Sequence, residues 1–200
     1  MNGVVKLSEL NDEQLDQAID VFIEGFYNTL RDVSKDKDTL HKLFLNAFDD
    51  DMTFAYLHDG EAVGFLGIAN SQKRPIKLHE ETFAEVLGAT GKRLYKAVSA
   101  AMEKIIVNDP DEMWLDYIAT NPKNRSMGIG KKLLDYICAN SDYKYIRLMV
   151  LSKNPRAISF YENLGFVKES EKFNLLVFLQ GFGKEIFMKK NIERVELGEK

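Results

Sequence analysis

The chain has few of the residues that cross-link or interrupt a fold, with one cysteine and four prolines among its 200 residues. A single cysteine, Cys138, cannot form a disulfide within the chain, so the sequence is compatible with a reducing compartment. The strongest apolar run, residues 174–179, is far shorter than the ~18 residues that span a bilayer. The first residues also lack the basic segment and apolar core of a secretory signal. We therefore expect a cytoplasmic protein with no membrane segment.

The chain also lacks a basic excess, since 27 basic residues face 31 acidic ones for a net charge of −4. Proteins built mainly to bind nucleic acid usually carry a clustered positive charge. The three histidines, at positions 41, 58 and 79, are far apart and have no neighbours at metal-ligand spacing. We expect no nucleic-acid partner and no metal, whereas a cationic ligand suits the charge.

What the sequence does contain is enough apolar material for a buried core: 45% of its residues are hydrophobic and 11% aromatic. Apolar residues recur along the chain first with the period of a helix and then with that of a strand, in alternation, which predicts one α/β domain over residues 1–200. Helices are predicted in residues 12–26, 38–48, 128–140 and 155–164. Strands are predicted in residues 4–7, 52–57, 62–69, 113–120, 145–151, 166–168 and 185–190. Residues 70–111, polar at first and then helical, lie between the third and fourth strands.

The segment that follows the fourth strand carries the clearest chemical signal. There, residues 121–130 form a glycine-containing turn that opens a helix, and a helix start offers free N–H groups and a positive dipole end to phosphate. An ordinary strand-to-helix turn is the alternative. The phosphate-binding loop of nucleoside triphosphatases does not fit, because it needs glycine in place of Arg125 and Ser or Thr in place of Lys132. The dinucleotide fingerprint does not fit either, since Leu133 stands where it needs glycine.

Two motifs do fit a known family. Residues 125–130 read Arg-Ser-Met-Gly-Ile-Gly, and residues 154–166 carry Ala157, Phe160-Tyr161 and Gly165-Phe166 at fixed spacing. Together they resemble the GNAT superfamily of N-acetyltransferases. The resemblance implies a mixed, centrally parallel sheet flanked by helices, with residues 70–111 as a helical insertion between the third and fourth strands.

The resemblance also implies acetyl-CoA as co-substrate. Its pyrophosphate would be held by the main chain of the turn, formed by Arg125, Ser126, Met127, Gly128, Ile129 and Gly130. Its pantetheine arm would lie along the preceding strand at Ile118, Ala119 and Thr120. Lys131 would reach outlying phosphate oxygens and Asn154 would touch the arm; a solvated helix face and a helix cap are the respective alternatives. Lys123, Arg125, Lys131 and Lys132 are expected to gather around this turn.

For the reaction, we expect direct attack of a deprotonated primary amine on the thioester. The resemblance assigns Tyr161 as the general acid for the departing thiolate, with a core tyrosine as the alternative. Strand periodicity places residues 114, 116, 118 and 120 on one face, and Asp116 is an ionisable group interrupting an apolar strand. Asp116 is therefore the candidate base, and a salt bridge is its alternative.

The acceptor is the least determined partner. A small-molecule amine is the first expectation, acetylation of a protein lysine or N-terminus the second, and a non-catalytic module that only binds or senses acetyl-CoA the third. The resemblance implies that the acceptor contacts the first two helices, the insertion and residues 169–184. The amphipathic helices of the insertion also offer a face for a homodimer.

Overall fold

The computed structural model describes residues 2–179 and 181–192 and contains a seven-stranded sheet. The strands are β1 (Gly3–Lys6), β2 (Thr53–His58), β3 (Glu61–Ala69), β4 (Glu112–Thr120), β5 (Tyr145–Leu151), β6 (Val167–Lys172) and β7 (Glu185–Asn191). Their order is β1-β2-β3-β4-β5-β7-β6, in which β4 and β5 run parallel and the other described pairs run antiparallel. The expected mixed sheet with a parallel centre is confirmed.

Seven helices connect or flank these strands in the described residues. They are α1 (Asp12–Leu30), α2 (Lys37–Phe44), α3 (Glu80–Leu87), α4 (Gly91–Met102), α5 (Ile129–Ala139), α6 (Pro155–Asn163) and α7 (Leu175–Leu179). Asn11 is the N-cap of α1, because its side-chain oxygen accepts a hydrogen bond from Gln14 N at 2.9 Å. Helices α3 and α4 form the predicted insertion between β3 and β4, whereas α7 and the greater length of β6 were not expected. None of the described helices is both long and apolar enough to cross a membrane.

The two faces of the sheet are covered by different helices. One core contains side chains of α1, α2 and α3 with β3, including the fully buried rings of Phe22, Phe44, Phe65 and Phe83. Phe83 belongs to the insertion, which is therefore part of this layer. The other core packs α5 and α6 against the centre of the sheet and includes Leu133. The sheet thus separates the insertion from the helix that follows the glycine turn.

A bulge in β4 changes which side chains share a face. Gly67 of β3 lies opposite Tyr117 and Ile68 lies opposite Leu115, so Asp116 is an extra residue on β4. As a result Leu115 packs into the core beneath α5, and Tyr117 packs into the core beneath α1. The prediction that residues 114, 116, 118 and 120 share one face is wrong, because the bulge reverses the alternation.

Candidate active site

The centre of the sheet opens into a fork. β4 and β5 pair only where residues 112–115 face residues 145–148, and beyond Leu115 the two strands separate. Residues 116–120 consequently pair with β3 on one side and have no strand partner on the β5 side. An extended ligand can add to such an edge through backbone hydrogen bonds. The fork thus provides a slot along the strand where the pantetheine arm was expected.

The glycine turn lies at the end of that slot. Ser126 has φ 71° and Gly128 has φ 70°, and two left-handed residues so close together turn the chain sharply into α5. The first backbone bond of α5 runs from Lys132 N to Gly128 O at 3.0 Å. The N–H groups that precede Lys132 in the helix therefore have no intrahelical acceptor. With the positive end of the helix dipole, they form an anion-binding surface that suits a pyrophosphate.

A groove of about 550 Å³ joins the fork, the turn and the start of α6. Ten of the residues predicted from sequence line it: Ile118, Ala119, Thr120, Arg125, Ser126, Gly128, Ile129, Gly130, Asn154 and Tyr161. Three predicted residues, Asp116, Met127 and Lys131, are not part of its lining. Met127 is exposed, and its sulfur accepts a hydrogen bond from Asn124 Nδ2 at 3.7 Å. The tertiary structure thus brings both sequence motifs to one cavity.

The expected cluster of four cations does not form. Lys131 is paired with Asp135 one helical turn later, and Lys132 donates to Tyr56 Oη at 3.2 Å. Lys123 lines a different cavity, beside α1. Arg125 alone of the four lines the groove. Lys131 thus has a carboxylate partner that offsets its charge at a helix start, whereas Lys132 contacts the neutral hydroxyl and ring of Tyr56.

Five lining residues were not predicted as site residues from the sequence: Gly25, Asn124, Arg156, Ala157 and Phe160. A Cβ on Gly25 would lie 2.5 Å from that of Ala119, so glycine lets α1 approach β4 closely. A Cβ on Gly130 would lie 3.0 Å from Phe160 Cζ, which joins the turn to α6. Arg156 and Phe160 could have been found as neighbours within the second motif. The contact of Gly25 with β4 has no signal in the sequence.

Tyr161 lies buried at the wall of the groove. Its side chain lines the groove, is 8% exposed, and packs against Phe160 and Phe166 at ring distances of 5.2 and 5.5 Å. Within the described residues its hydroxyl has no hydrogen-bond partner. Burial raises the pKa of the Tyr161 phenol well above its usual value near 10. The group therefore stays protonated at neutral pH. About two turns away, Asn154 caps α6 by accepting from Ala157 N at 3.2 Å.

Asp116 lies at the bulge but outside the groove lining. Arg74 from the insertion donates to both of its oxygens, from Nε at 2.5 Å and from Nη2 at 2.8 Å. The side chain of Arg74 is 9% exposed and that of Asp116 is 5% exposed. Burial raises the pKa of Asp116 to about 6, although the guanidinium of Arg74 acts in the opposite direction. The salt bridge that was the alternative is present, and a role as base stays a prediction.

Comparison with known proteins agrees with this geometry. The family model described as the acetyltransferase (GNAT) family matches residues 15–166. The chain belongs to this family. Membership in GNAT confirms the resemblance found in the two motifs and makes the chain an acyltransferase by class. The matched range includes the insertion, β4 and β5.

Solved structures with the same fold cover nearly the whole chain. The ribosomal-protein-S18-alanine N-acetyltransferase of Escherichia coli is 17% identical with a TM-score of 0.55, over 100% of this chain and 99% of that one. A GNAT-family acetyltransferase of Bacillus cereus is 17% identical with a TM-score of 0.58, over 97% and 99%. A Corynebacterium glutamicum protein described as histone acetyltransferase HPA2 and related acetyltransferase is 20% identical with a TM-score of 0.60, over 98% and 99%. At these identities the likeness shows the fold.

A curated relative shares a shorter segment. The 5-NmdU N-acetyltransferase of Pseudomonas phage PaMx11 is 33% identical over 60 residues. The match spans 30% of this chain and 43% of the phage protein, so it covers less than half of that relative's length. It supports the GNAT assignment without defining the acceptor.

Proposed function

We propose that this GNAT chain transfers the acetyl group of acetyl-CoA to a primary amine of a small molecule. The observation that supports this most is the single groove that runs from the glycine turn to the fork and is lined by both motifs and by Tyr161. Its shape suits a long donor that has an anionic end and an extended arm. The protonated phenol of Tyr161 lies at the same groove, where a leaving thiolate needs a proton.

In this proposal the main chain of residues 125–130 binds the pyrophosphate, and the side chains of Arg125 and Arg156 add positive charge at the groove. Met127 takes part only through its main chain, because its side chain is exposed. Lys131 would have to leave Asp135 to reach a phosphate. Residues 118–120 hold the arm along the open edge of β4, and Asn154 borders it from α6. The donor supplies an acetyl thioester, which an amine can attack directly.

The chain must also handle two protons. A primary amine is mostly protonated at neutral pH, so it has to lose a proton before it attacks. Asp116 is the candidate acceptor on β4, but both of its oxygens accept from Arg74 and it lies outside the groove. This arrangement favours removal of the proton through water over direct contact with Asp116. Tyr161 then protonates the sulfur as the carbon–sulfur bond breaks. The nitrogen, now bonded to the acetyl carbon, releases its second proton, and a proton returned through water restores the Tyr161 phenol, which leaves free CoA and the acetylated amine.

The proposal is tested with Tyr161→Phe, measured for acetyl-CoA affinity by calorimetry and for CoA release with a panel of amines. We expect unchanged affinity and a kcat lower by about 10²–10⁴-fold, the usual contribution of a general acid. Tyr136→Phe is the matched control, because Tyr136 is an exposed tyrosine of α5. A wild-type protein that binds acetyl-CoA but acetylates no amine would favour a sensing module instead. Failure to bind acetyl-CoA would overturn both.

A further inference from the structure

Within the part of the chain that the structure describes, no helix covers β5 and β7 on the α1 side of the sheet. On β5 and β7 the side chains that face α5 and α6 are buried: Ile146, Leu148, Val150, Ile186 and Met188. The alternate side chains, which face the other way, are exposed or half-buried: Arg147, Met149, Leu151, Glu185, Phe187 and Lys189. The donor groove is lined by β4, the glycine turn and the start of α6, and α5 and α6 cover the opposite side of the sheet. The open face is therefore the free approach to a bound thioester.

The open face is apolar where it meets the fork. Met149 follows Leu148, the last residue of β5 that pairs with β4, and it is 40% exposed. Phe187 lies opposite Met149 on β7, and its ring is 6.2 Å from that of Trp114. Val107, from the return segment of the insertion, is buried in the same small cluster. The floor of the approach is thus formed by Trp114, Met149 and Phe187.

Exposed apolar side chains also border this floor on two sides. Of the ten large apolar side chains that are exposed among the described residues, seven come from three segments at the fork: Ile105, Ile106, Met149, Phe173, Leu175, Phe178 and Leu179. The excursion of residues 173–184 starts after Lys172, whose ammonium lies 4.9 Å from the Phe187 ring centre. It ends beside the loop before α6, where Ser152 N donates to Lys184 O at 2.8 Å. Folded proteins rarely leave such a set of apolar groups uncovered unless a ligand uses it.

The carboxylates near the fork already have partners. Asp116 is bound by Arg74, Glu169 is 2.7 Å from Arg147 Nε, and Glu185 accepts from Asn174 Nδ2 at 3.0 Å. A polyamine needs a free carboxylate for its second ammonium group, whereas an apolar body needs only the surface described above. Two of these three carboxylates are neutralised by an arginine, and the third, Glu185, accepts from a neutral amide, so this face favours an acceptor with a single amine.

From these observations we infer that the acceptor is a small primary amine with an apolar body, which packs on Trp114, Met149 and Phe187 between the insertion and the excursion. The inference rests on the proposed function and specifies its substrate class. The amine reaches the fork first, and the apolar part of the molecule covers the open face.

The test compares n-alkylamines from propylamine to hexylamine, which share nearly one amine pKa and differ in apolar length. We expect kcat/KM to rise about fourfold for each methylene that becomes buried. Hexylamine should exceed 1,5-diaminopentane, which has an ammonium in place of the terminal methyl group, by at least about tenfold. Lysine-containing peptides and aminoglycosides complete the panel.

Substitutions on the open face test whether the dependence of kcat/KM on alkyl length arises there. Met149→Ser and Phe178→Ser change exposed side chains, and each should lower kcat/KM for hexylamine about fivefold, as expected for a loss of buried apolar area. Both should leave propylamine within about twofold and the KM for acetyl-CoA unchanged, because propylamine is too short to use the surface. Tyr136→Ser, an exposed apolar position on α5, is the control and should change neither.

The outcomes separate this inference from the proposed function. Turnover that does not depend on alkyl length, or a preference for diamines, aminoglycosides or peptides, overturns the inference and leaves acetyl transfer standing. No turnover with any amine overturns the proposed function. A length dependence that both fork variants reduce supports the inference.

Discussion

The buried ion pair between Arg74 and Asp116 makes a quantitative prediction about stability. Arg74→Met removes the cation and leaves the Asp116 carboxylate 5% exposed without its partner. Breaking a buried pair in this way costs about 3–5 kcal/mol. Because the two side chains are almost fully buried, solvent screening does not reduce this figure. We therefore expect the variant to lose about 3–5 kcal/mol of unfolding free energy at pH 8.

The loss should depend on pH with a definite sign. The pKa of Asp116 in the folded protein is raised to about 6, above its value near 4 in an unfolded chain. A raised carboxyl pKa means that the folded state holds the proton more tightly, so stability is greatest at low pH and is lost as pH rises through the folded pKa. Without Arg74 this pKa moves higher still. The variant should recover stability on acidification from pH 8 by up to about 1.4 kcal/mol per pH unit.

Urea unfolding at pH 8, 7, 6 and 5 measures both effects. The double variant Arg74→Met/Asp116→Leu should regain most of the lost stability, since replacing both partners by apolar groups is often neutral. Lys37→Met is the control, because Lys37 and Glu24 form an exposed pair whose loss changes stability by about 1 kcal/mol or less. A loss below about 1 kcal/mol in Arg74→Met, or one that is the same at every pH, refutes this reasoning.

Three further predictions concern single residues. Gly128→Ala should lower stability by about 1 kcal/mol in thermal unfolding, because the φ of Gly128 is 70°, and it should also weaken acetyl-CoA binding in calorimetry. Gly88→Ala is the control: the φ of Gly88, in the insertion, is 64°, so this variant should lose stability but bind acetyl-CoA normally. Because the pKa of Tyr161 is raised, kcat should not fall between pH 7 and 10, and a decline near pH 10 would assign the phenol an ordinary pKa. Burial raises the pKa of the Cys138 thiol, so a disulfide reagent at pH 8 should label it at least about tenfold more slowly than free cysteine, with urea abolishing the difference.

Much of the fold and of the groove follows from local sequence. Asn11 and Asn154 cap helices through contacts only three residues away, and Gly128 adopts its left-handed turn without help from distant segments. Such features depend on neighbours along the chain, so the pattern of residues is enough to predict them. The same holds for the strand–turn–helix order of residues 118–130, which supplies eight of the ten predicted residues that line the groove.

Other parts of the site depend on residues far apart in sequence. The partner of Asp116 is Arg74, 42 positions earlier, and the bulge that turns Asp116 out of the groove depends on the register between β3 and β4. Gly25 borders the groove only because α1 crosses β4 at Ala119. Cross-strand register and helix placement arise from packing of the whole core, which no short segment of sequence specifies. The sequence by itself therefore determined the family, the glycine turn and the choice of Tyr161 as the candidate acid, whereas only the tertiary structure decided the surroundings of Asp116 and the open apolar face.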